Sequence, residues 1–597
     1  MCGAPIRTSR FASQMRRADR TTPPGHCRSH FATLARVAKQ LLRAGVWLAV
    51  LASLLAGGDL IRQVATASAE RLGTPDPTDL QGHIIHDHAL RVRAGQPLYR
   101  EPDDTFCSLL YTPLYYYACA AVMAFTGTDI VACRITSVLL LGAAIASLTA
   151  FVARVTRSAP AAALVPPMAL AGYAGSGFFY DAPRVDAASA ALVVLSVLAG
   201  SGASRGRGGV LVGMLLFAAF FAKQSTSAFA MPFLLVLLLR GRSVAMSAVV
   251  TYLSLTAAGI ALATWSTDGW FWRFCLIMPG EHPLPADRAI ANLADDWGVR
   301  LRGLSIAVIA VAAALGFRKR AGRGAGSVTA ETAAESTTAA ADRSLGFLLA
   351  AFLAVIVMTT LSHGREGGTV KTLIPACLLV AGIVPIGLWC AVRSAPTGAR
   401  DGVTIVAAGV FAFVALEGRF AREDAVLVQD DVRAWATLAE HVKRHARSGE
   451  VWTALSGYPE LPGQPMRPGE LAINDYLKAG RSGMPAELVE AVASHRFAAI
   501  VLRESLSRPG GDRRTELSRL VQEHYRVGER VSVPAGISRK RITAVVYVPA
   551  EPRASSARRT DASASRNAAS TTRWKEGFAF RKREHSRTAT AAAFSGG

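Results

Sequence analysis

Residues 79–117 read DLQGHIIHDHALRVRAGQPLYREPDDTFCSLLYTPLYYY. The stretch directly follows the first strongly apolar segment of the chain. It concentrates carboxylates (Asp79, Asp87, Glu101, Asp103, Asp104), histidines (His83, His86, His88) and an aromatic run around Pro113. Ionisable groups beside a membrane span are costly to place and mark function. What flanks this stretch decides whether such a span exists.

The 597 residues are 51% hydrophobic and 18% charged, with mean hydropathy +0.28. A chain of this length is too apolar and too charge-poor for a soluble enzyme. The formal charge of +23 would suggest nucleic acid in a soluble protein. Here the arginines sit in short loops, in the N-terminal arm and in the C-terminal tail, which membrane topology explains and nucleic-acid binding does not. The eight cysteines lack C-x-x-C pairing and mostly lie in or beside apolar segments, so they read as small buried hydrophobes.

Apolar runs predict a mainly α polytopic membrane protein with about eleven transmembrane helices. They fall near 41–61, 130–152, 161–176, 187–200, 209–221, 226–239, 244–264, 301–316, 345–361, 370–391 and 403–416. The 41–61 run is too long for a signal segment and reads as an uncleaved anchor behind a basic, disordered arm at 1–40. Arg154/Arg157, Arg205/Arg207, Arg240/Arg242, Arg318 to Arg323 and Arg393/Arg400 fall in alternate loops. That alternation puts these loops and the N-terminus in the cytoplasm of a cell that carries the protein in its inner membrane. The C-terminus is then outside.

The same alternation requires that 109–125 not cross. The segment is short, contains Pro113, and carries tyrosines that favour a wet interface. It reads as a juxtamembrane or re-entrant helix within a large first outer loop, 62–129. Residues 318–344 read as a flexible cytoplasmic loop inside the 41–420 membrane domain. Residues 421–550 change character: 430–446 has helical apolar spacing, whereas VWTAL, FAAIVL and ITAVVYV read as strands of a small outer α/β domain. Residues 551–597 form a basic, disordered tail.

The order of several motifs resembles the polytopic glycosyltransferase-C superfamily, in particular its bacterial protein-mannosyltransferase-like and aminoarabinose-transferase-like members. The motifs are a basic N-terminus, one span, an acidic outer loop, G-Q-P-L-Y (95–99), Y-T-P-L-Y-Y (111–116), P-R-V-D (183–186) and A-K-Q-S (222–225). The resemblance covers 41–420. It implies a polyprenyl-phosphate-linked sugar donor, an acceptor hydroxyl on a lipid, glycan or protein, and an inverting transfer at the outer membrane face. Nucleic acid is not an expected partner.

The resemblance also implies an outer-loop carboxylate as base and cations for the departing lipid phosphate. Family members carry an acidic residue soon after the first span, often in an Asp-Glu pair. This chain instead has Asp79 and Asp87, eight residues apart, and Asp87 begins the run that leads into G-Q-P-L-Y. Asp186 is a third acidic candidate, alternatively a helix N-terminal acid favoured by the dipole. Arg184, Lys223, Arg365 and Lys371 are the phosphate candidates, with snorkelling as the alternative for Lys223 and Arg62 and Arg134 as weaker choices. Tyr111, Tyr115 and Tyr116 are candidates to line the donor groove or to anchor the interface.

His83 and His86 are expected to bind substrate as part of a hydrogen-bonded histidine cluster. With Asp87 they share a helical face that would also suit a divalent metal. The expected cofactor is none. A transporter or flippase of a lipid-linked or anionic solute, and a non-catalytic scaffold of the same fold, are the alternatives. The absence of an internal repeat and the gathering of ionisable residues at outer span ends favour an enzyme.

Overall fold

A computed structural model describes residues 24–73, 81–127, 130–282, 284–322, 333–365, 368–455, 467–478, 483–504, 514–535 and 540–550. Asp79, most of the basic arm, the centre of the 318–344 loop and the 551–597 tail lie outside the described residues.

In hydrocarbon every backbone N–H and C=O must be satisfied internally, so long Ala/Leu/Val runs become helices. Six described helices are long and apolar enough to cross a membrane: Arg36–Leu72, Ile130–Thr156, Val185–Gly202, Arg242–Trp265, Thr337–Gly364 and Val370–Ser394. Two bent pairs, one turning by 87° at Leu301 and one by 63° after Glu417, raise the number to eight if each is one span. Gly206–Ala222, Gln224–Arg240 and Leu114–Thr126 are shorter apolar helices.

The expected span at 161–176 is broken into Ala159–Ala163, Val165–Leu170 and Gly172–Gly175. Pro160, Pro166 and Pro167 remove backbone donors there and their rings oppose a continuous helix. Leu114–Thr126 starts after Pro113 and has 13 residues, a rise of about 20 Å against the roughly 30 Å of a bilayer core.

Val370–Ser394 is the axis of the bundle: 94% of its apolar window is buried, against 17% for the first span. Around it Gly206–Ala222 meets Arg242–Trp265 through Gly209 and Gly213. A Cβ at Gly209 would stand 2.2 Å from the Val244 carbonyl oxygen, and one at Gly213 would stand 2.7 Å from that of Ala248. The small-x-x-x-small spacing is what lets these two backbones approach.

Outside the bundle, strands β1 (Glu450–Thr453), β2 (Phe497–Arg503), β3 (Tyr525–Ala535) and β4 (Lys540–Pro549) form one sheet in the order β1-β2-β4-β3. β1 and β2 are parallel, and the other pairings are antiparallel. Helix Gln429–Ala446 buries Trp435, Leu438 and Val442 against one sheet face. The three expected strands are all present. β3 is additional, because its alternation is written in Arg, Glu and Ser as much as in valine.

The opposite sheet face packs on the loop that follows the first span. One continuous apolar cluster joins Ile85, Tyr99, Leu109 and Tyr116 to Trp452, Tyr476 and Phe497. Asp104 ties the two further, accepting from Arg467 and Arg496 at 2.6 Å each.

Candidate active site

Four helix ends converge on the same side of the bundle as this assembly of loop and sheet. Asp186 lies in the first turn of Val185–Gly202, where the helix dipole favours an acid. Arg184 is the extended residue capping that helix. Lys223 is the extended residue directly after Gly206–Ala222. Lys371 sits in the 3-10 turn Val370–Leu373 that leads into Ile374–Ser394. Gln81 caps Gly82–Arg93, the first helix of the outer loop.

These residues form one network. Lys223 Nζ donates to Asp186 Oδ1 at 2.6 Å, and Lys371 Nζ stands 3.9 Å from Asp186 Oδ2. Gln81 Oε1 accepts from Lys371 at 2.9 Å and also from Arg184. The Arg184 guanidinium lies over the Phe179 ring, 4.6 Å from its centre. Asp186 and Lys371 are 4% and 3% exposed, and Arg184 and Lys223 are also buried. Three cations thus surround one carboxylate in a water-poor site. Asp186 Oδ2 has no hydrogen-bond partner among the described residues. A buried acceptor left open in this way is costly unless something donates to it.

The outer loop is pinned above the network. Gln224, next to Lys223, donates to the Leu110 carbonyl, and Thr112 Oγ1 donates to that of Phe220 at 2.8 Å. Tyr99 Oη donates to the Tyr111 carbonyl at 2.6 Å, and Gln81 Nε2 stands 3.4 Å from Tyr111 Oη. Burial pushes the Tyr111 hydroxyl upward, Asp186 and Asp475 add to the rise, and Arg184 opposes it. It therefore remains a neutral hydrogen-bonding group. Asp475 belongs to helix Glu470–Lys478 of the α/β unit, so that region adds a carboxylate beside the site. His88 holds the loop from within: its Nδ1 donates to the Ile84 carbonyl at 2.7 Å, and its Nε2 accepts the Leu109 N–H at 3.0 Å. Burial lowers His88 to about 4, and it is neutral at ordinary pH.

A second buried network supports the first. Arg71, at the end of the first helix, donates to Asp181 Oδ1 at 2.6 Å and to the Phe178 carbonyl at 2.7 Å. Tyr173 Oη donates to Asp181 Oδ2 at 3.0 Å, and Arg134 donates to the Arg71 carbonyl. This network holds the turn that delivers Arg184 and Asp186. Phe178 in that turn has φ +61°, which a side chain rarely adopts without such support.

The structure therefore brings together Arg184, Asp186, Lys223, Lys371 and Tyr111. Arg365 lies elsewhere: it is exposed and donates to the Pro279 carbonyl at 2.7 Å. Tyr115 is fully buried, with its hydroxyl 2.6 Å from Ser137 Oγ and 2.9 Å from the Cys133 carbonyl, so it packs helix on helix. Arg62 pairs with Asp59 at 2.7 Å, exposed. On Gly82–Arg93, His83 and Asp87 are half-buried and His86 is buried. It is Gln81 that reaches the network. Asp87 follows six residues on, about 120° round the helix, and its charge acts on Arg91. Among the described residues no group of three or more His, Cys, Asp or Glu side chains is arranged to hold a metal ion, His83/His86/Asp87 included.

Gln81, Arg71, Asp181 and Asp475 escaped the sequence reading. A glutamine carries no charge signal. The acids Asp181 and Asp475 fall in segments that read as loop and as soluble domain. Only the adjacency of Asp181 to P-R-V-D hinted at a role.

No protein-family model matches this chain, and no curated protein does. Solved structures do. ArnT from Cupriavidus metallidurans in the apo state aligns over 82% of this chain and 98% of its own, with 13% identity and a TM-score of 0.50. The fold is ArnT-like. The same protein bound to undecaprenyl phosphate covers the same shares at 12% identity and a TM-score of 0.49. The ArnT-like fold agrees with the glycosyltransferase-C resemblance carried by the motifs from G-Q-P-L-Y to A-K-Q-S.

Proposed function

We propose that this protein is a membrane glycosyltransferase that moves a sugar from a polyprenyl-phosphate donor to an acceptor hydroxyl on the outer face of the membrane. The observation that carries the reading is the buried Arg184/Lys223/Lys371 cluster around Asp186, at converging helix ends of an ArnT-like fold. A phosphate suits a site built from three cations, and cations held in place before reaction stabilise it as it leaves. ArnT's capture with undecaprenyl phosphate is in keeping with such a ligand.

In the reaction the acceptor oxygen forms a bond to the anomeric carbon as the carbon–oxygen bond to the lipid phosphate breaks. The electron pair goes to the phosphate, and the acceptor's proton goes to a carboxylate. Asp186 Oδ1 is engaged by Lys223, so Asp186 serves chiefly to place the cations and to accept a substrate hydroxyl at Oδ2. The base is then an outer-loop carboxylate, Asp87 or Asp79. Asp79 stands two residues before Gln81 in the sequence.

The test is transfer by the purified full-length protein from a panel of radiolabelled polyprenyl-phosphate sugars. Product formation that disappears when Lys223 and Lys371 are replaced by methionine supports the reading. Movement of the intact lipid-linked sugar across a vesicle membrane, with no sugar transferred, would identify a flippase instead.

A further inference from the structure

The far end of the axial helix opens into a cavity of about 570 Å³. From Lys371 to Arg393 the chain climbs 22 residues, about 33 Å in a helix. The cavity therefore lies a bilayer's thickness from the Asp186 network, at the opposite face. Arg157, Arg393 and Arg400 line it, together with Thr337, Thr338 and Asp342. Trp389 adds an aromatic wall, with the Arg393 guanidinium 5.5 Å from its ring centre.

Basic residues at helix C-termini are common because the dipole favours them, and this accounts for Arg393 in the last turn of Ile374–Ser394. It does not account for the other two. Arg400 is the first residue of Arg400–Glu417, the end at which the dipole disfavours a cation. Arg157 follows Ile130–Thr156 at φ +49°, a left-handed position at which glycine is the unstrained choice. Two arginines thus sit where local structure opposes them, and both line the same cavity. No ion pair involves Arg157, Arg393 or Arg400 among the described residues. The first turn of Arg400–Glu417 lacks a side-chain cap and carries Asp401, which answers the dipole but leaves the Arg400 guanidinium without an ion pair among the described residues.

We infer that this cavity binds a phosphate-bearing anion, its guanidinium groups donating to the phosphate oxygens. An anionic phospholipid headgroup and free phosphate share that chemistry, and Trp389 suits the membrane–water interface. The site stands independently of the glycosyltransferase reading.

The full-length protein in detergent, stripped of bound lipid, is titrated with phosphatidylglycerol, phosphatidylcholine and inorganic phosphate. The wild type, Arg157→Gly and Arg400→Gln are compared. The expected result is that phosphatidylglycerol binds the wild type more tightly than phosphatidylcholine, and each variant about ten-fold more weakly. Because Arg157→Gly relieves a strained backbone, its lipid-free melting temperature should not fall, so weakened binding cannot be ascribed to misfolding. Phosphatidylglycerol binding that millimolar phosphate leaves intact identifies a lipid headgroup, and competition by phosphate identifies a free-phosphate site. Equal binding by wild type and both variants overturns the inference. So does a wild type that neither prefers phosphatidylglycerol nor binds phosphate.

Discussion

Lys371 and Arg393 stand at the two ends of the same buried helix under opposite conditions. Lys371 is 3% exposed, donates to Gln81 and faces Asp186, whose carboxylate is also engaged by Lys223. Arg393 is exposed, rests on Trp389 and borders open space. At the first end the fold has removed water, so each charge depends on its protein partners, and removing one leaves another uncompensated. At the second end the charges keep their hydration and bind whatever anion arrives. Buried networks should therefore fail on single substitution in both stability and chemistry, and hydrated ones in binding alone.

The largest expected effect lies on chemistry. Replacing the true base, Asp87→Asn or Asp79→Asn, should lower turnover by roughly 10²–10⁴-fold while donor binding changes little. Full transfer activity in both variants would remove the outer-loop carboxylates from the mechanism. Next, Asp186→Asn strips the carboxylate from among three buried cations and should destabilise the protein by about 3–5 kcal/mol. Arg393→Gln, at the hydrated end, should stay within about 0.5 kcal/mol. Equal melting temperatures for these two variants in detergent would break the comparison.

The Arg71–Asp181 pair sharpens it. Arg71→Met should cost about 3 kcal/mol by leaving Asp181 buried and unpaired, whereas the double variant Arg71→Met/Asp181→Asn should lose less than the sum of the single changes. Additive losses would mean that the pair is not coupled.

The last expected effect is a pH dependence. His88 is held neutral in the fold, lowered to about 4 from its ordinary 6.5. Below 6.5 the unfolded chain binds a proton that the folded chain refuses. The His88 contribution is therefore complete above 6.5 and lost as pH falls toward 4, by about 1.4 kcal/mol per pH unit in between. Melting temperatures of wild type and His88→Asn across that window measure it, and an unchanged pH slope in the variant would exclude His88 as the source.

Much of the outer network was legible in the chain. Arg184, Asp186, Lys223 and Lys371 each stand beside a long apolar run, and a charge at such a place is conspicuous because lipid will not solvate it. Arg365 has the same signature, yet the turn after Thr337–Gly364 carries it to Pro279. Tyr115 reads like an interfacial tyrosine, but its position on Leu114–Thr126 turns its hydroxyl onto Ser137. Distance along the chain does not say which face of a helix end looks inward.

The amino-acid order by itself determined the class of the molecule. Apolar runs long enough to cross a bilayer, basic loops in alternation and a change to mixed strand and helix patterns near 421 specify a polytopic bundle with an appended α/β unit. These are local properties, written in hydropathy and period. Only the tertiary structure decided that Gln81 bridges Arg184 and Lys371, that Arg71 and Asp181 brace the turn before Asp186, and that Asp475 from the α/β unit approaches Tyr111. It also decided that Arg157 and Arg400, 243 residues apart in number, border one cavity. Each of these depends on which helix ends meet, and that is set by the packing of whole helices around Val370–Ser394, a property that no single segment carries.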